Sequence, residues 1–313
     1  MDNRSLSISF PIFGQNFVIN PPSYISVFGF HLYLYGMVIA LGFLLAVFYC
    51  LRRSRDFGFK SDTIIDMLLF AVPSAVIGAR LYSVIFTWSD YSSFWQMLDI
   101  RSGGLSILGA VIGAVIAAAI FGRVKKIPIG ALLDTGSFGL LIGQAVGRWG
   151  NFFNREVYGV ATNLPWKMGF INPDTGQLYD PSTRLADYVH PLFFYECLWN
   201  VLGLVLLHIF SKKVTRKFDG QLVLMYVIWY GVGRALLESI RADVDVLKLG
   251  SIPISQLTAA LAAAVGAVLL IVLLIKHKNG SVLWVDNPKN PVNARAAASA
   301  SGPSSPEGNQ DKG

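Results

Sequence analysis

Polar residues in this chain gather into short runs. Between them lie seven apolar stretches, near 30–51, 62–86, 105–122, 130–148, 191–210, 221–239 and 254–275. Each is close to the roughly 20 residues that a helix needs to cross the hydrocarbon core of a bilayer. The pattern predicts an all-α integral membrane protein of about seven transmembrane helices. Pro73 and Arg80 interrupt the second stretch, and Asp134 and Gln144 the fourth. A bundle tolerates such groups where neighbours satisfy them, so both still read as spans.

The polar runs set an orientation. Arg52-Arg53-Ser54-Arg55, Arg123-Val124-Lys125-Lys126, Lys212 to Lys217 and Lys276-His277-Lys278 alternate with connections poorer in positive charge. Dense positive loops belong in the cytoplasm, which puts the N-terminus outside and the C-terminus inside. An odd number of helices requires the same result. The outside connections are then 87–104, 149–190 and 240–253. The longest carries turn residues, Asn172-Pro173-Asp174-Thr175-Gly176, between Met168–Ile171 and Gln177–Tyr179, which predicts a small hairpin in an extracytoplasmic head. The expected organisation is an extracytoplasmic segment at 1–29, a membrane domain at 30–278 with its head at 149–190, and a disordered cytoplasmic tail at 279–313. No repeat of 20–50 residues is visible.

Composition sharpens this picture. Charged residues make up 14% of the chain and hydrophobic ones 53%, against about 25% charged in soluble domains. The net charge of +7 sits in loops between apolar runs, so it argues for membrane topology and against a nucleic-acid partner. Cys50 and Cys197 both lie in apolar segments, with neither a disulfide framework nor metal-ligand spacing, and no metal or cofactor is expected. Met1–Phe10 is too polar for a secretory h-region, so no cleaved signal is expected.

Candidate chemistry concentrates where the fourth stretch ends. Residues 147–159 read Gly-Arg-Trp-Gly-Asn-Phe-Phe-Asn-Arg-Glu-Val-Tyr-Gly. Gly147, Gly150 and Gly159 allow close approach of backbone or positive φ. Arg148 and Asn151 share a face if the helix persists. The planar donor fork of Arg suits phosphate, although a polar helix cap with a snorkelling Arg has the same look. On the sixth stretch Tyr230, Arg234, Glu238 and Arg241 fall at steps of four, four and three, on one face. Arg234 with Glu238 alone reads as an internal salt bridge. One Glu cannot neutralise Arg80, Arg148, Arg234 and Arg241 together, and a surplus of Arg in low dielectric calls for an anion such as a phosphodiester. His190 reads as a helix-start cap before a general base, and Glu196 as a partner of Arg80 or of backbone. The spacing of Gly109 and Gly113, and of Gly139, Gly143 and Gly147, reads as close helix packing. Gly103-Gly104 could fold beside a headgroup. Apolar neighbours argue against a thiol mechanism at Cys197.

These residues together resemble bacterial prolipoprotein diacylglyceryl transferases over most of 25–278. The family signature Gly-Arg-x-Gly-Asn-Phe-x-Asn-x-Glu-x-x-Gly runs unbroken from Gly147 to Gly159. Tyr35-Gly36 is similar to its early Tyr-Gly pair, Pro191 with Tyr195-Glu196 to its Pro-x-x-x-Tyr-Glu, and Tyr230-Gly231 through Arg241 to its late motif. The resemblance implies transfer of the diacylglyceryl group of phosphatidylglycerol to the lipobox cysteine of a prolipoprotein signal peptide, with release of glycerol 1-phosphate. It implies a multi-pass protein of the bacterial plasma (inner) membrane, acting as a monomer on the extracytoplasmic side. Arg148, Arg234, Glu156, Asn151 and Tyr35 become the candidate catalytic residues. Arg148, Asn151, Gly159, Tyr230, Arg241, Arg80 and Glu238 become the candidate phosphatidylglycerol-binding residues.

One position departs from the family pattern. Where many members carry His or Tyr after Gly-Gly-Leu-Ser-Ile, this chain has Leu108, which cannot move a proton. Either Glu156 or His190 takes that task, or thiol ionisation assisted by Arg suffices without it. A transporter or flippase of an anionic lipid would also use arginines in a cavity, but no inverted repeat accompanies them. An intramembrane protease would need partners that Asp134 and Ser137 lack.

Overall fold

The computed structural model describes residues 5–14, 16–100, 103–179, 187–242, 248–250 and 252–293. Four short strands, β1 (Ser7–Ser9), β2 (Val18–Ile19), β3 (Tyr24–Val27) and β4 (Phe30–Tyr33), precede α1 (Leu34–Arg53). Next come α2 (Ser61–Phe86), α3 (Phe94–Leu98), α4 (Ile107–Lys125) and α5 (Ile129–Asn154). The chain continues through β5 (Gly169–Ile171), α6 (Leu192–Lys213) and α7 (Gln221–Glu238) to the hairpin β6 (Lys248–Leu249) and β7 (Ile252–Pro253), and then α8 (Ile254–Lys276).

Each of the seven apolar stretches carries a helix, which makes this a helical membrane protein. Among the described residues six helices are long and apolar enough to cross a bilayer: α1, α2, α4, α5, α6 and α8. The expected seventh span, α7, has 18 residues and includes Arg234 and Glu238, and it falls outside that set. The first stretch starts later than expected, because Phe30–Tyr33 pairs with Tyr24–Val27 as a hairpin. Its turn residues Phe28 and Gly29 both have positive φ, the geometry of a tight two-residue hairpin. Hydropathy cannot separate such a strand from a helix start.

The chain divides into two units, residues 1–50 with 133–280 and residues 51–132 with 281–313. In the first, α6 and α7 are joined by a reciprocal clasp. Trp199 Nε1 donates to Trp229 O and Trp229 Nε1 to Trp199 O, each at 3.0 Å, with the indoles stacked 4.4 Å apart. Each ring lies over a glycine of the other helix: a Cβ on Gly203 would meet Trp229, and one on Gly233 would meet Trp199. Gly231 likewise brings α7 against α8 at Ala259 and Ala263. Asp134, fully buried in α5, accepts the N–H groups of Gly220 and Val223 at 2.9 Å each and faces Arg216 at 3.3 Å. It therefore caps the N-terminus of α7 from a neighbouring helix, which accounts for a carboxylate at that depth.

The head is built on a sheet that the hairpin expectation captures only in part. Ile171 bridges Leu178 across the expected turn, but the strand partner of β5 is β1, with Ser7 opposite Ile171 and Ser9 opposite Gly169. Leu6, Ile8, Phe152, Tyr158, Met168, Phe170, Val189 and Phe193 form the core beneath. The N-terminal segment thus belongs to the head rather than standing apart from it.

In the second unit α2 and α4 pack backbone to backbone. A Cβ on Gly109 would come within 2.3 Å of Gly78 O, and one on Gly113 within 2.3 Å of Ser74 O, so the small-residue spacing in α4 does what it predicts. In α5 the same spacing does less: Gly139 approaches Cys50, while Gly143 has open space. The stretch expected to be disordered from residue 279 departs from that reading over its described part. Residues 284–286 form a 3-10 turn, Trp284 is buried, and the wholly buried Asn290 donates to Gly58 O at 3.0 Å and Trp284 O at 2.9 Å. Polar composition hid a side chain able to cap two backbone carbonyls at once. Residues 294–313 lie outside the described residues.

Candidate active site

α5 persists to Asn154, so the signature begins inside a helix and Arg148 and Asn151 do share a face. Arg148 closes an ion pair onto Glu196 of α6 through Nη2 and Oε2, while its Nη1 lies 3.5 Å from Asn151 Oδ1. Glu196 Oε1 faces Arg234 Nη1 of α7 at 3.5 Å. Arg234 Nη2 then reaches Glu238 Oε2 at 2.7 Å, and that oxygen lies 3.6 Å from Arg241 Nη1. Ser255 at the start of α8 donates to Glu238 Oε1 at 2.6 Å. One continuous chain of charges, Arg148–Glu196–Arg234–Glu238–Arg241, therefore links the ends of three helices.

Its burial is graded. The side chains of Glu196 and Glu238 are 7% and 2% exposed, while those of Arg148, Arg234 and Arg241 are 20%, 16% and 20% exposed. The carboxylates are the deeper members of the chain and the guanidiniums the more exposed ones. A buried carboxylate costs desolvation unless paired, and here each Glu has two arginines. Three arginines against two glutamates leave this chain one positive charge in excess, less than the sequence suggests. Glu196 is the residue that sequence reasoning missed as a site member; its depth within the fifth apolar stretch, in the Pro-x-x-x-Tyr-Glu motif, was the available signal.

The rest of the signature positions this chain. Asn151 Nδ2 and Asn154 Nδ2 donate to Glu156 Oε1 at 2.9 and 3.3 Å. Arg155, almost fully buried, donates to Leu6 O, Phe153 O, Pro21 O, Asn20 Oδ1 and Ser23 Oγ at 2.5–3.1 Å, tying the N-terminal segment to the end of α5. It is a structural arginine, and only its place within the signature hinted at it. Positive φ occurs at Arg155 and Val157, not at the motif's glycines. Those glycines act through space instead. A Cβ on Gly150 would lie 2.8 Å from the Tyr35 ring, and one on Gly159 would lie 2.7 Å from His190 Cβ and 2.8 Å from Ile240 O. Gly159 N donates to His190 O, and Val160 N to Ile240 O, both at 2.9 Å, so the signature's end is stitched to the start of α6 and the end of α7. Gly159 therefore holds the frame through close packing and backbone hydrogen bonds. Tyr230 stacks on Tyr226 and borders Glu196 and Arg234.

Arg80 and His190 are both taken up in local contacts. Arg80 lies in the other unit and is 6% exposed. Its donors go to Gln96 O, Met97 O, Gly103 O and Gly104 O at 2.5–3.1 Å, and it stacks over Tyr91, so it holds α3 and the segment after it. Gly103-Gly104 serves that segment: both have positive φ, and a Cβ on Gly104 would meet Arg80 Nη1 at 2.8 Å. Arg101 lies outside the described residues. His190 Nδ1 lies 3.2 Å from the Tyr195 hydroxyl, which accepts from Trp166 Nε1 at 2.7 Å. The indole can only donate, so the hydroxyl proton turns toward Nδ1. Burial pushes the His190 pKa below its ordinary value of 6.5, and the ring braces the Tyr195 hydroxyl. Leu108 is half-exposed on α4.

Comparison with known sequences bears directly on this arrangement. The prolipoprotein diacylglyceryl transferase family profile matches residues 22–272, which takes in every member of the charge chain. The chain belongs to that family. Its relatives include the phosphatidylglycerol–prolipoprotein diacylglyceryl transferase of Bacillus cytotoxicus, 37% identical over 254 residues, covering 80% of this chain and 90% of the relative. The enzyme of the same name from Thermotoga maritima is 38% identical over 240 residues, covering 76% and 80%. That from Bacillus mycoides is 38% identical over 254 residues, covering 80% and 90%. The family match begins at residue 22, so it leaves out β1 and β2, whose strand pairing completes the head.

Proposed function

We propose that this chain is a phosphatidylglycerol–prolipoprotein diacylglyceryl transferase, carrying out the first step of bacterial lipoprotein maturation. Family membership supports the reaction class. The carrying observation for the site is the continuous Arg148–Glu196–Arg234–Glu238–Arg241 chain with its partly exposed guanidiniums. In the reaction the sulfur of the lipobox cysteine attacks the glyceryl carbon that bears the phosphate. The carbon–oxygen bond breaks with its electron pair on the phosphate oxygen, and glycerol 1-phosphate leaves. Arg148 and Arg234, held by Glu196, bind the phosphate and stabilise the charge that develops on it. Arg241 and Tyr230 flank it, and Glu238 holds Arg234 and Arg241 in place. Asn151 and Tyr35 orient the glyceryl portion. Nearby guanidiniums favour the thiolate, and Glu156, with Oε1 held by two Asn side chains, offers Oε2 to the thiol proton on its way to the leaving phosphate.

The protein acts as a monomer in the plasma membrane, with its N-terminus, head and charge chain outside and the end of α8 in the cytoplasm. The alternation of basic loops supports this orientation. Incubation of purified protein with phosphatidylglycerol and a lipobox peptide, followed by mass measurement, tests the reading. A thioether-linked diacylglyceryl adduct on Cys supports it, and an unmodified peptide would favour the lipid-flippase alternative.

A further inference from the structure

The second unit holds a cavity of about 600 Å³ with no counterpart in the proposed reaction. Its walls come from the end of α4, the turn into α5 and the C-terminal segment. Arg123, Lys125, Lys126 and Lys289 line it alongside the apolar Ile127, Pro128 and Trp284. Lys125 pairs with Asp66 at 3.3 Å. Arg123, Lys126 and Lys289 are exposed and make no ion pair among the described residues.

Cations in the last turn of a helix are ordinary, because they offset its dipole. Lys289 is different. It is brought there by a segment far along the chain, held by the buried Asn290 on Gly58 O and Trp284 O. Beyond the Lys125–Asp66 pair, the converging charges of Arg123, Lys126 and Lys289 repel unless an anion joins them. The volume exceeds what a lone phosphate needs and falls within the range of small-molecule pockets. The cavity also sits at the ends of two membrane-spanning helices, where phospholipid headgroups are the abundant anions, and its apolar wall suits the glyceryl and first acyl carbons.

We propose that this cavity binds the headgroup of an anionic phospholipid in the leaflet at this end of α4, and so ties the C-terminal segment to the membrane surface. The proposal rests on α4 and α5 spanning the membrane and is independent of the transferase reading.

The test uses the full chain, delipidated in detergent and titrated with phosphatidylserine or phosphatidylcholine under native mass spectrometry. A variant carrying Arg123→Gln, Lys126→Gln and Lys289→Gln is compared with a control carrying Lys212→Gln and Lys213→Gln. Each cation near an anionic surface contributes enough that losing three should weaken phosphatidylserine binding at least about tenfold. Phosphatidylcholine binding, the control variant's phosphatidylserine binding and diacylglyceryl transfer by the triple variant should all stay within about twofold of wild type. Equal phosphatidylserine retention by wild type and the triple variant would overturn the proposal. So would inorganic phosphate displacing phosphatidylserine completely at equal concentration, which would mark a site for the free anion.

Discussion

Glu196 of α6 presents Oε1 to Nη1 of Arg234 at 3.5 Å, and its other oxygen holds Arg148. A single carboxylate therefore sets the spacing between the two guanidiniums that flank the proposed phosphate position. Glu196→Gln keeps the shape and removes the charge, leaving both arginines less firmly placed. Activity with phosphatidylglycerol is expected to fall by about a hundredfold, the scale of losing preorganised charge stabilisation. Glu196→Asp should lie between the two. A Gln variant within threefold of wild type, at equal folded protein, would remove Glu196 from the site.

The two signature glycines differ in what surrounds them. A Cβ on Gly150 meets the movable Tyr35 ring, whereas one on Gly159 meets the backbone oxygen of Ile240. Gly150→Ala should therefore act mainly on turnover, through displaced Tyr35, with a small change in melting temperature. Gly159→Ala should lower stability by about 1–3 kcal/mol, as overpacking does. Thermal unfolding of both variants in detergent checks the contrast, and the reverse order would contradict it.

The C-terminal segment is expected to matter only up to its anchor. Truncation after Asn293 should leave melting temperature and activity near wild type. Asn290→Ala strands the buried carbonyl of Gly58, leaves Trp284 O with Asn287 N alone, and should cost about 1–3 kcal/mol. Equal stability of Asn290→Ala and wild type would show that the segment is not held there.

His190 gives a pH signature. Its folded-state pKa is below the ordinary 6.5, so the unfolded chain binds the extra proton first as pH falls. The stability linked to this residue is fully present above about pH 6.5 and is lost as pH falls toward the folded value. His190→Gln should flatten that part of the stability profile, and near pH 7 it should keep activity within about tenfold of wild type. A loss above about a thousandfold, with the fold intact, would restore the general-base role.

Much of this was legible because the signals are local. Apolar runs add residue by residue into spans, and the steps from Tyr230 to Arg241 follow from helical period alone. What escaped depends on distant pairing. Nothing near Glu196 says that Arg148 and Arg234 will arrive from other helices, and nothing near Arg80 says that four carbonyls of α3 and the segment after it will take its donors. The strand partner of β5 is at the far N-terminus, and Asn290 caps a turn more than two hundred residues earlier. Polar residues with such partners look the same in sequence as residues awaiting a ligand.

Arg148 carries the central claim. A Lys at that position keeps the charge and loses the two-pronged donor fork, one prong on Glu196 and the other toward Asn151. The decisive measurement is the mass of a lipobox peptide incubated with phosphatidylglycerol and purified wild type, Arg148→Lys or Arg148→Ala, with released glycerol 1-phosphate counted in the same samples. Wild type should give one diacylglyceryl adduct per glycerol 1-phosphate, and both variants should form it on the order of 10²–10³ more slowly while remaining folded. An Arg148→Lys enzyme at near wild-type rate, or adduct formed without glycerol 1-phosphate, would contradict a phosphate-binding role for this guanidinium.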